Sequence, residues 1–200
     1  MLFSLVSYEE DRGGKLNEYH GSMRDWSKFS EDMKNQYGVN MQVLDNTFEK
    51  EQVDYYLYSA LWTELRPEHV VGQPVVIKRL DLNNCTVADA ECVPSTPFEF
   101  NVPLPIRVSG FAGWFTVDFA GSAITPVTRR VTLSTGPEVG YTHWGQQVFY
   151  LKDGIDCTPG TIIKGEVAMV RQEKNKRLYN LELKAQVDDC KPFQAKYEIP

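Results

Sequence analysis

One segment of the chain carries side chains that are suited to bind a cationic ligand. Residues 141–149 read Tyr-Thr-His-Trp-Gly-Gln-Gln-Val-Phe and lead from a loop with glycine and proline into an apolar strand. A histidine can donate or accept a hydrogen bond near neutral pH, and the face of a tryptophan attracts cations. His143 and Trp144 would thus offer a hydrogen-bonding group and an aromatic wall at a strand entrance. The alternative is structural, with Trp144 in the core and His143 at its rim.

The rest of the sequence lacks the motifs of a self-contained active site. It has no G-x-G-x-x-G, no G-x-x-x-x-G-K-[ST] and no G-x-S-x-G segment. Of the other histidines, His20 lies in a polar stretch and His69 follows a proline and a glutamate, which is typical of surface residues. No trio of nucleophile, base and orienting group stands out. We therefore expect this chain alone to contain no complete active site.

Composition and charge exclude several classes of function. The 200 residues are 42% hydrophobic and 12% aromatic, which favours one folded domain, or one domain with an appendage, over disorder. Asp and Glu total 27 against 21 Lys and Arg, so no nucleic-acid partner is expected, because phosphate binding needs a basic surface. No apolar run approaches the roughly 20 residues of a spanning helix, and no export signal is visible. The sequence thus predicts an intracellular protein of the cytoplasm, the nucleus or both, with no membrane partner.

Cysteine spacing argues against a structural metal. The chain has four cysteines, Cys85, Cys92, Cys157 and Cys190. None of them forms a C-x-x-C pair, and there are three histidines, so no zinc site is expected. We expect four reduced thiols, because a Cys85–Cys92 disulfide would require secretion.

A polar loop and then a helix are predicted near the N-terminus. Residues 9–21 are polar and include two adjacent glycines, which predicts an exposed loop. Ser22 and Asp25 have the spacing of a capping box, and Gly38 is a candidate C-cap. Four large side chains between these signals recur at helical spacing and form one apolar stripe: Trp26, Phe29, Met33 and Tyr37.

A second helix is predicted to follow directly. Asn46 and Glu49 form another capping signal, and Pro67 ends the helical pattern. The apolar face of this helix would consist of Val53, Tyr56, Leu57, Ala60 and Leu61.

From Val70 onward the pattern becomes that of strands. Apolar and polar residues alternate, as in antiparallel strands that pack one face on a core. One apolar run and four alternating stretches carry this signal: residues 75–80, 111–119, 127–133, 179–187 and 193–199. Residues 173–176 separate two such stretches and predict a hairpin turn. The predicted fold is mainly β, an antiparallel β-barrel or sandwich with helices near the N-terminus.

Several segments together resemble the protein arginine N-methyltransferase family. Y-T-H-W-x-Q-x-V-F resembles the threonine–histidine–tryptophan loop of these enzymes. The segments 25–41, 110–119 and 134–135 fit the same family. The resemblance extends from about Leu2 to Ile199 and is greatest to the plant branch numbered ten, which shares G-W-F and T-H-W-G-Q-Q-V-F.

The resemblance implies that the chain is one half of a two-part enzyme. The family combines an α/β domain, which binds S-adenosylmethionine and holds the substrate guanidinium with two glutamates, with a β-barrel that closes the substrate groove. The glycine-rich donor loop and the double-glutamate hairpin have no counterpart in this sequence. Residues 1–200 therefore resemble the barrel half, with residues 1–8 as its first strand and residues 9–47 as a helical dimerisation arm.

The resemblance also assigns a small site. Thr142, His143 and Trp144 would face the substrate groove. In the family, the histidine helps to order the acidic residues around the substrate arginine, and the tryptophan lines its pocket. No cofactor-binding and no metal-binding residue is assigned to this chain, and S-adenosylmethionine belongs to the complete enzyme.

The helical arm is expected to bind a partner. In the family it grips the donor-binding half of another subunit, so the partner would be a second copy or such a half. Trp26, Phe29, Met33 and Tyr37 would be its anchors, because large aromatic and Met side chains are typical of interface cores. Packing of these side chains back onto residues 48–62 is the equally weighted alternative.

Three hypotheses follow for the whole protein. The chain is the substrate-groove and dimerisation half of an enzyme that methylates arginine side chains in proteins and is inactive alone. Alternatively, it is a non-catalytic regulatory subunit that partners a catalytic arginine methyltransferase. The third hypothesis, an unrelated jelly-roll binding module, is disfavoured by a resemblance along the full length. Missing partner surfaces predict self-association of the isolated chain.

Overall fold

The computed structural model describes residues 1–8, 15–122 and 124–199. Its strands are β1 (Leu2–Val6), β2 (Leu61–Thr63), β3 (Val70–Val76), β4 (Cys92–Asn101), β5 (Ile106–Trp114), β6 (Thr116–Gly121), β7 (Pro126–Ser134), β8 (Gln146–Cys157), β9 (Ile162–Arg171), β10 (Tyr179–Val187) and β11 (Phe193–Ile199). Its helices are α1 (Lys15–Tyr37), α2 (Asp45–Tyr56) and α3 (Val87–Glu91), and its 3-10 turns are Gln42–Leu44, Pro67–His69 and Pro137–Val139.

The strands form two larger sheets and one hairpin. The five-stranded sheet has the order β2-β8-β5-β1-β3, the four-stranded sheet has the order β11-β10-β9-β4, and β6 pairs with β7. The strand pairs within these sheets are antiparallel. The predicted turn at residues 173–176 is confirmed, because it lies between β9 and β10, which pair from Arg171 with Tyr179 onward.

An aromatic core lies between the two larger sheets. Phe3 stacks on Phe111 within its own sheet at a centroid distance of 5.2 Å, and it meets Phe98 of the opposite sheet at 5.5 Å. Phe149 and Tyr197 make a second contact between the sheets at 5.3 Å. These side chains are buried, and their burial is the main force that holds the sheets together. The mainly β, antiparallel fold predicted from the sequence is confirmed, and it has the form of a sandwich.

One edge of the sandwich is joined by backbone hydrogen bonds. The N–H of Ala60 donates to the carbonyl of Glu198 at 2.7 Å, and the N–H of Glu198 donates to the carbonyl of Tyr58 at 2.8 Å. The segment that precedes β2 is thereby tied to β11. These bonds hold the backbone between α2 and β2, where the chain enters the five-stranded sheet.

Helix α1 begins earlier than predicted. The loop prediction for residues 9–21 is wrong from Lys15 onward, and residues 9–14 lie outside the described part of the chain. Tyr19 is buried against the sheet, and the Ser22 hydroxyl donates to Gln52 on α2 at 2.8 Å instead of capping a helix. The apolar stripe thus starts about two turns before the stripe recognised in the sequence. The predicted end is confirmed, because Gly38 follows α1 with φ of +67°, a left-handed conformation that suits glycine.

Helix α2 is shorter than predicted and is capped differently. It follows directly on the 3-10 turn Gln42–Leu44, and its first turn has no side-chain cap, so the capping role of Asn46 is wrong. Val53 and Leu57 are buried as predicted. Ala60 and Leu61 are not helical, because the chain there bonds to β11 and then pairs with β8. Pairing with two strands outweighs the local helical periodicity.

The two helices cover the outer face of the five-stranded sheet. A second apolar cluster forms there from Val6, Tyr19, Val53, Leu57, Leu65, Ala112, Trp114, Val148 and Tyr150. None of the helices that the structure describes is long and apolar enough to span a membrane. The four cysteines are unbridged.

Candidate functional site

The Thr142–Gly145 loop is a tight turn at the entrance of β8. The N–H of Gly145 donates to the carbonyl of Thr142 at 3.1 Å and also lies 3.2 Å from its hydroxyl oxygen. Gly145 has φ of +54°, so the turn needs a residue that tolerates a left-handed conformation. This geometry places His143 and Trp144 at the apex of the turn.

The side chains at the apex face outward. Trp144 is 54% exposed, and His143 is exposed as well. Trp144 meets Phe115 edge-on at a centroid distance of 6.0 Å, and His143 lies 6.4 Å from Trp144. Trp144 is thus not in the core, contrary to the structural alternative. It presents an aromatic surface that is supported on one side by Phe115.

Trp62 on β2 holds the loop from the side. Its Nε1 donates to the carbonyl of Trp144 at 2.7 Å. Trp62 pairs in register with Gln147, so its backbone is fixed on β8 while its side chain reaches the loop. Sequence reasoning missed Trp62, because the helical interpretation of Leu61 extended across it.

Gln146 ties the base of the loop to two other segments. It is buried, its Oε1 accepts from the N–H of Leu65 at 2.6 Å, and its Nε2 donates to the carbonyl of Thr135 at 2.8 Å. Thr135 in turn donates to the carbonyl of Phe115 through both its N–H and its hydroxyl, each at 3.0 Å. Through Thr135, Gln146 therefore fixes the start of β8 relative to Phe115. Phe115 is the ring that contacts Trp144. Sequence reasoning missed this role too.

The β6–β7 hairpin beside this region carries a paired carboxylate. Arg130 lies 2.7 Å from Asp118, and the Thr132 hydroxyl donates to Asp118 at 2.6 Å. The hydrogen bond from Thr132 and then that from Arg130 hold the pKa of Asp118 below its usual range. This carboxylate is thus engaged on its own hairpin.

In the described residues no group of three or more His, Cys, Asp or Glu side chains could hold a metal ion.

The four predicted arm anchors have different surroundings. Trp26 stacks on Phe48 of α2 with ring centroids 4.3 Å apart, and its Nε1 donates to Asp45 at 2.7 Å. Met33 is half-buried, whereas Phe29 is 44% and Tyr37 is 69% exposed. Trp26 therefore packs onto α2, as the alternative of packing onto residues 48–62 predicts, whereas Phe29 and Tyr37 are exposed.

An apolar patch lies where α1 and α2 connect. We call it the arm tip, and it consists of the exposed residues Tyr37, Val39, Val43 and Leu44. Val43 is 78% exposed, which is unusual for a valine in so apolar a neighbourhood. Three of these residues were missed in the sequence, because they lie outside the regular helical stripe.

An ion pair joins helix α2 to the five-stranded sheet. Lys152 Nζ on β8 lies 2.5 Å from Glu49 on α2, and the Tyr19 hydroxyl lies 3.5 Å from the same carboxylate oxygen. The hydrogen bond between the pair lowers the pKa of Glu49 and raises that of Lys152. Helix α2 thus meets the sandwich through a charged contact beside the apolar cluster.

The chain matches a known protein family over most of its length. Residues 15–190 match the family described as the arginine methyltransferase oligomerization subdomain. The match covers most of the chain, and the chain therefore belongs to this family. The resemblance seen in the sequence is confirmed.

Plant arginine methyltransferases are among the curated proteins that are similar to this chain. The chain is 36% identical over 177 residues to protein arginine N-methyltransferase PRMT10 of Arabidopsis thaliana, covering 88% of this chain and 46% of the relative. It is 40% identical over 172 residues to PRMT10 of Oryza sativa subsp. japonica, covering 84% of this chain and 44% of the relative. The chain thus spans about half the length of the curated relatives it matches.

Solved structures share the fold. The crystal structure of Arabidopsis PRMT10, described as uniquely open, superposes with a TM-score of 0.81 at 32% identity, covering 100% of this chain and 58% of that one. The Trypanosoma brucei PRMT1 enzyme–prozyme heterotetramer with AdoHcy superposes with a TM-score of 0.73, covering 100% and 55%. At 16% identity, the second likeness concerns the fold alone.

Proposed function

We propose that this chain is the substrate-groove and dimerisation half of a protein arginine N-methyltransferase. The complete enzyme transfers methyl groups from S-adenosylmethionine to arginine side chains in proteins. The observation that carries the proposal is the Thr142–Trp144 loop, which is held in a tight turn with Trp144 facing outward. It stands in a chain that is 36% to 40% identical to plant arginine methyltransferases over about half of their length.

The loop residues divide the work between them. Trp144 offers an aromatic face to the guanidinium, and such a face attracts a delocalised cation. His143 orders the carboxylates of the other half around the same group. Thr142 closes the turn through its contact with the N–H of Gly145. Together they position the arginine and keep water out of the groove.

The methyl donor is assigned to the other half of the enzyme. S-Adenosylmethionine supplies the methyl group, and the sequence of this chain has no glycine-rich loop that fits it. The residues of this chain bind and orient substrate only. Alone, the chain binds no donor and transfers no methyl group.

The arm is the dimerisation element. Its exposed residues Phe29 and Tyr37, with the arm tip, would be buried against a second copy or against the donor-binding half of another subunit. Apolar patches of this kind are typical of protein interfaces. An enzyme of this class would act inside the cell, in the cytoplasm, the nucleus or both.

Calorimetric titration of the 200-residue chain with S-adenosylmethionine tests the donor assignment. We expect no heat of binding. The matched titration adds the donor-binding half of a plant relative, and binding should then be measurable. Micromolar binding by the chain alone would contradict the proposal, because it would require a donor site within these residues.

The role of Trp144 is tested in the complete enzyme. Trp144→Ala should lower turnover by about tenfold and leave donor affinity unchanged, because the side chain contacts substrate and not donor. Unchanged turnover would return Trp144 to a structural role.

The alternative function is that of a regulatory subunit. It predicts that the chain stimulates an intact catalytic methyltransferase without forming a groove of its own.

A further inference from the structure

Trp62 is a large aromatic residue on a short edge strand. It is 45% exposed, and its indole N–H bonds to a backbone carbonyl 82 positions further along the chain, that of Trp144. A half-exposed tryptophan on a surface need not have a function. The bond from Trp62 to the loop that carries the candidate site indicates that this tryptophan acts on that loop.

The loop backbone is shaped to fit the indole. A Cβ atom on Gly145 would lie 2.5 Å from Nε1 of Trp62, 2.6 Å from its Cε2 and 2.8 Å from the carbonyl oxygen of Thr63. Atoms do not approach so closely, so any larger residue at this position would push the loop away from β2. Gly145 is thus required by the contact with Trp62 as well as by its own positive φ.

The other end of Trp62 is also fixed. β2 pairs with β8 from Leu61 with Val148 to Thr63 with Gln146, and the N–H of Leu65 donates to Gln146. Backbone pairing and the indole bond together close a ring from β2 through β8 and the loop back to Trp62. The tie uses only the carbonyl of Trp144, so the side chain of Trp144 stays available.

We propose that Trp62 is a positioning residue for the substrate-groove loop. It holds the backbone of Trp144 through its indole N–H and so fixes the direction in which the Trp144 side chain meets an arginine. This role rests on the proposed function of the loop. The tie between Trp62 and the loop does not, and it can be measured separately.

The tie is tested by nuclear magnetic resonance on the isolated chain labelled with ¹⁵N. The chain has four tryptophans, and Trp62→Phe identifies the indole signal of Trp62 by its disappearance. We expect the Trp62 indole N–H to exchange with solvent at least about tenfold more slowly than that of an unstructured tryptophan, although the side chain is half-exposed. Exchange at the unstructured rate in the wild-type chain would overturn the proposal.

Two variants make this test specific. Gly145→Ala should abolish the protection of the Trp62 signal, while the signals of Trp26 and Trp114 show that the fold persists. Trp26→Phe is the matched control, because it removes an equally short indole bond, to Asp45, within the arm. It should leave the protection of Trp62 unchanged. Protection that survives Gly145→Ala in a folded chain would contradict the proposed contact.

The role in catalysis is tested with the donor-binding half present. Trp62→Phe should lower kcat/KM for an arginine peptide by about three- to tenfold, the effect expected for one hydrogen bond between uncharged groups, with donor affinity unchanged. If the wild type is active and Trp62→Phe has the same kcat/KM, the role of Trp62 is contradicted but the proposed function is not. An inactive wild-type mixture whose two parts bind each other would contradict the proposed function itself and remove this role with it.

Discussion

Gln146 connects three segments through one buried side chain. Its amide accepts from Leu65 after β2 and donates to Thr135 before the loop, and it stands at the first position of β8. Buried amides of this kind are valuable only when both ends find partners. The loop that carries His143 and Trp144 therefore depends on a residue that contributes nothing to the exposed surface.

Replacement of Gln146 should destabilise the whole domain. Gln146→Leu keeps the approximate size but leaves the Leu65 N–H and the Thr135 carbonyl buried without partners. We expect the free energy of unfolding to fall by about 2–3 kcal/mol, as is typical for unpaired buried polar groups. Urea denaturation followed by tryptophan fluorescence measures this loss.

The neighbouring glutamine is the control. In the part of the chain that the structure describes, the Oε1 of Gln147 is buried and has no hydrogen-bond partner. Gln147→Leu should therefore be neutral within about 0.5 kcal/mol, or stabilising. Equal losses for the two variants would contradict the role assigned to Gln146.

At this scale the sequence revealed the residues at the apex but not those that hold them. His143 and Trp144 stand out through their types and their place at a strand entrance. Trp62 and Gln146 act through bonds to residues about 80 positions away along the chain. Such contacts depend on the pairing of β2 with β8, which no local pattern encodes. The resemblance to arginine methyltransferases assigned groove roles to Thr142, His143 and Trp144 but none to Trp62 or Gln146.

At the scale of elements, the arm combines internal packing with exposed apolar residues. Trp26 joins α1 to α2 through Phe48 and Asp45, whereas Tyr37 is 69% exposed. The two interpretations of the helical stripe therefore apply to different residues. Local packing describes Trp26, and an interface is proposed for Tyr37 and the arm tip.

This division predicts opposite effects for two variants. Trp26→Ala should lower the free energy of unfolding by about 2 kcal/mol, because a half-buried ring and its hydrogen bond are lost. Tyr37→Ala should change it by less than about 0.5 kcal/mol but weaken self-association. Urea denaturation and sedimentation velocity measure the two quantities. A strictly monomeric wild type, or a large loss of stability in Tyr37→Ala, would contradict the assignment.

The contact between α2 and the sheet should lose its contribution to stability in acid. Hydrogen bonding to Lys152 lowers the pKa of Glu49, so the stability from this pair is present above the ordinary carboxyl pKa of 4.5 and is lost as the pH falls through the lowered value. The pKa of Lys152 is raised, so its share persists until strongly alkaline pH.

Glu49→Gln measures that contribution. We expect the variant to be less stable than the wild type by about 0.5 kcal/mol, the size typical of a solvent-exposed pair, at all values from about pH 6 to 9. The difference should vanish in acid. A difference that grows as the pH falls would contradict the direction assigned to the pKa of Glu49.

Elements with a clear period were predictable, and elements set by distant pairing were not. Alternation located β7, β10 and β11, and along β10 it matches a strand with one buried and one exposed face. The alternating stretch 111–119 spans the end of β5 and the start of β6 instead of one strand. The start of α1 was missed, because two glycines and a polar stretch hid the buried Tyr19. The predicted face of the second helix extended to Leu61, the first residue of β2. Three residues are too few to establish the period of two that would identify a strand.

At the scale of the whole molecule, two apolar surfaces are exposed. One is the arm tip. The other is a face of the β6–β7 hairpin, where Val117 pairs with Leu133 and Phe119 with Val131. Phe119 and Val131 are each 53% exposed. A chain that spans about half of its relatives is expected to leave such surfaces open, because the other half and a second subunit would cover them.

The most direct test of a half-enzyme is to restore its other half. The 200-residue chain, the separately produced donor-binding half of a plant relative, and their mixture are each incubated with labelled S-adenosylmethionine and an arginine-containing protein. We predict that neither part alone labels arginine and that the mixture does. Arginine labelling by the chain alone, or no labelling by a mixture whose two parts bind each other, would contradict the proposed function.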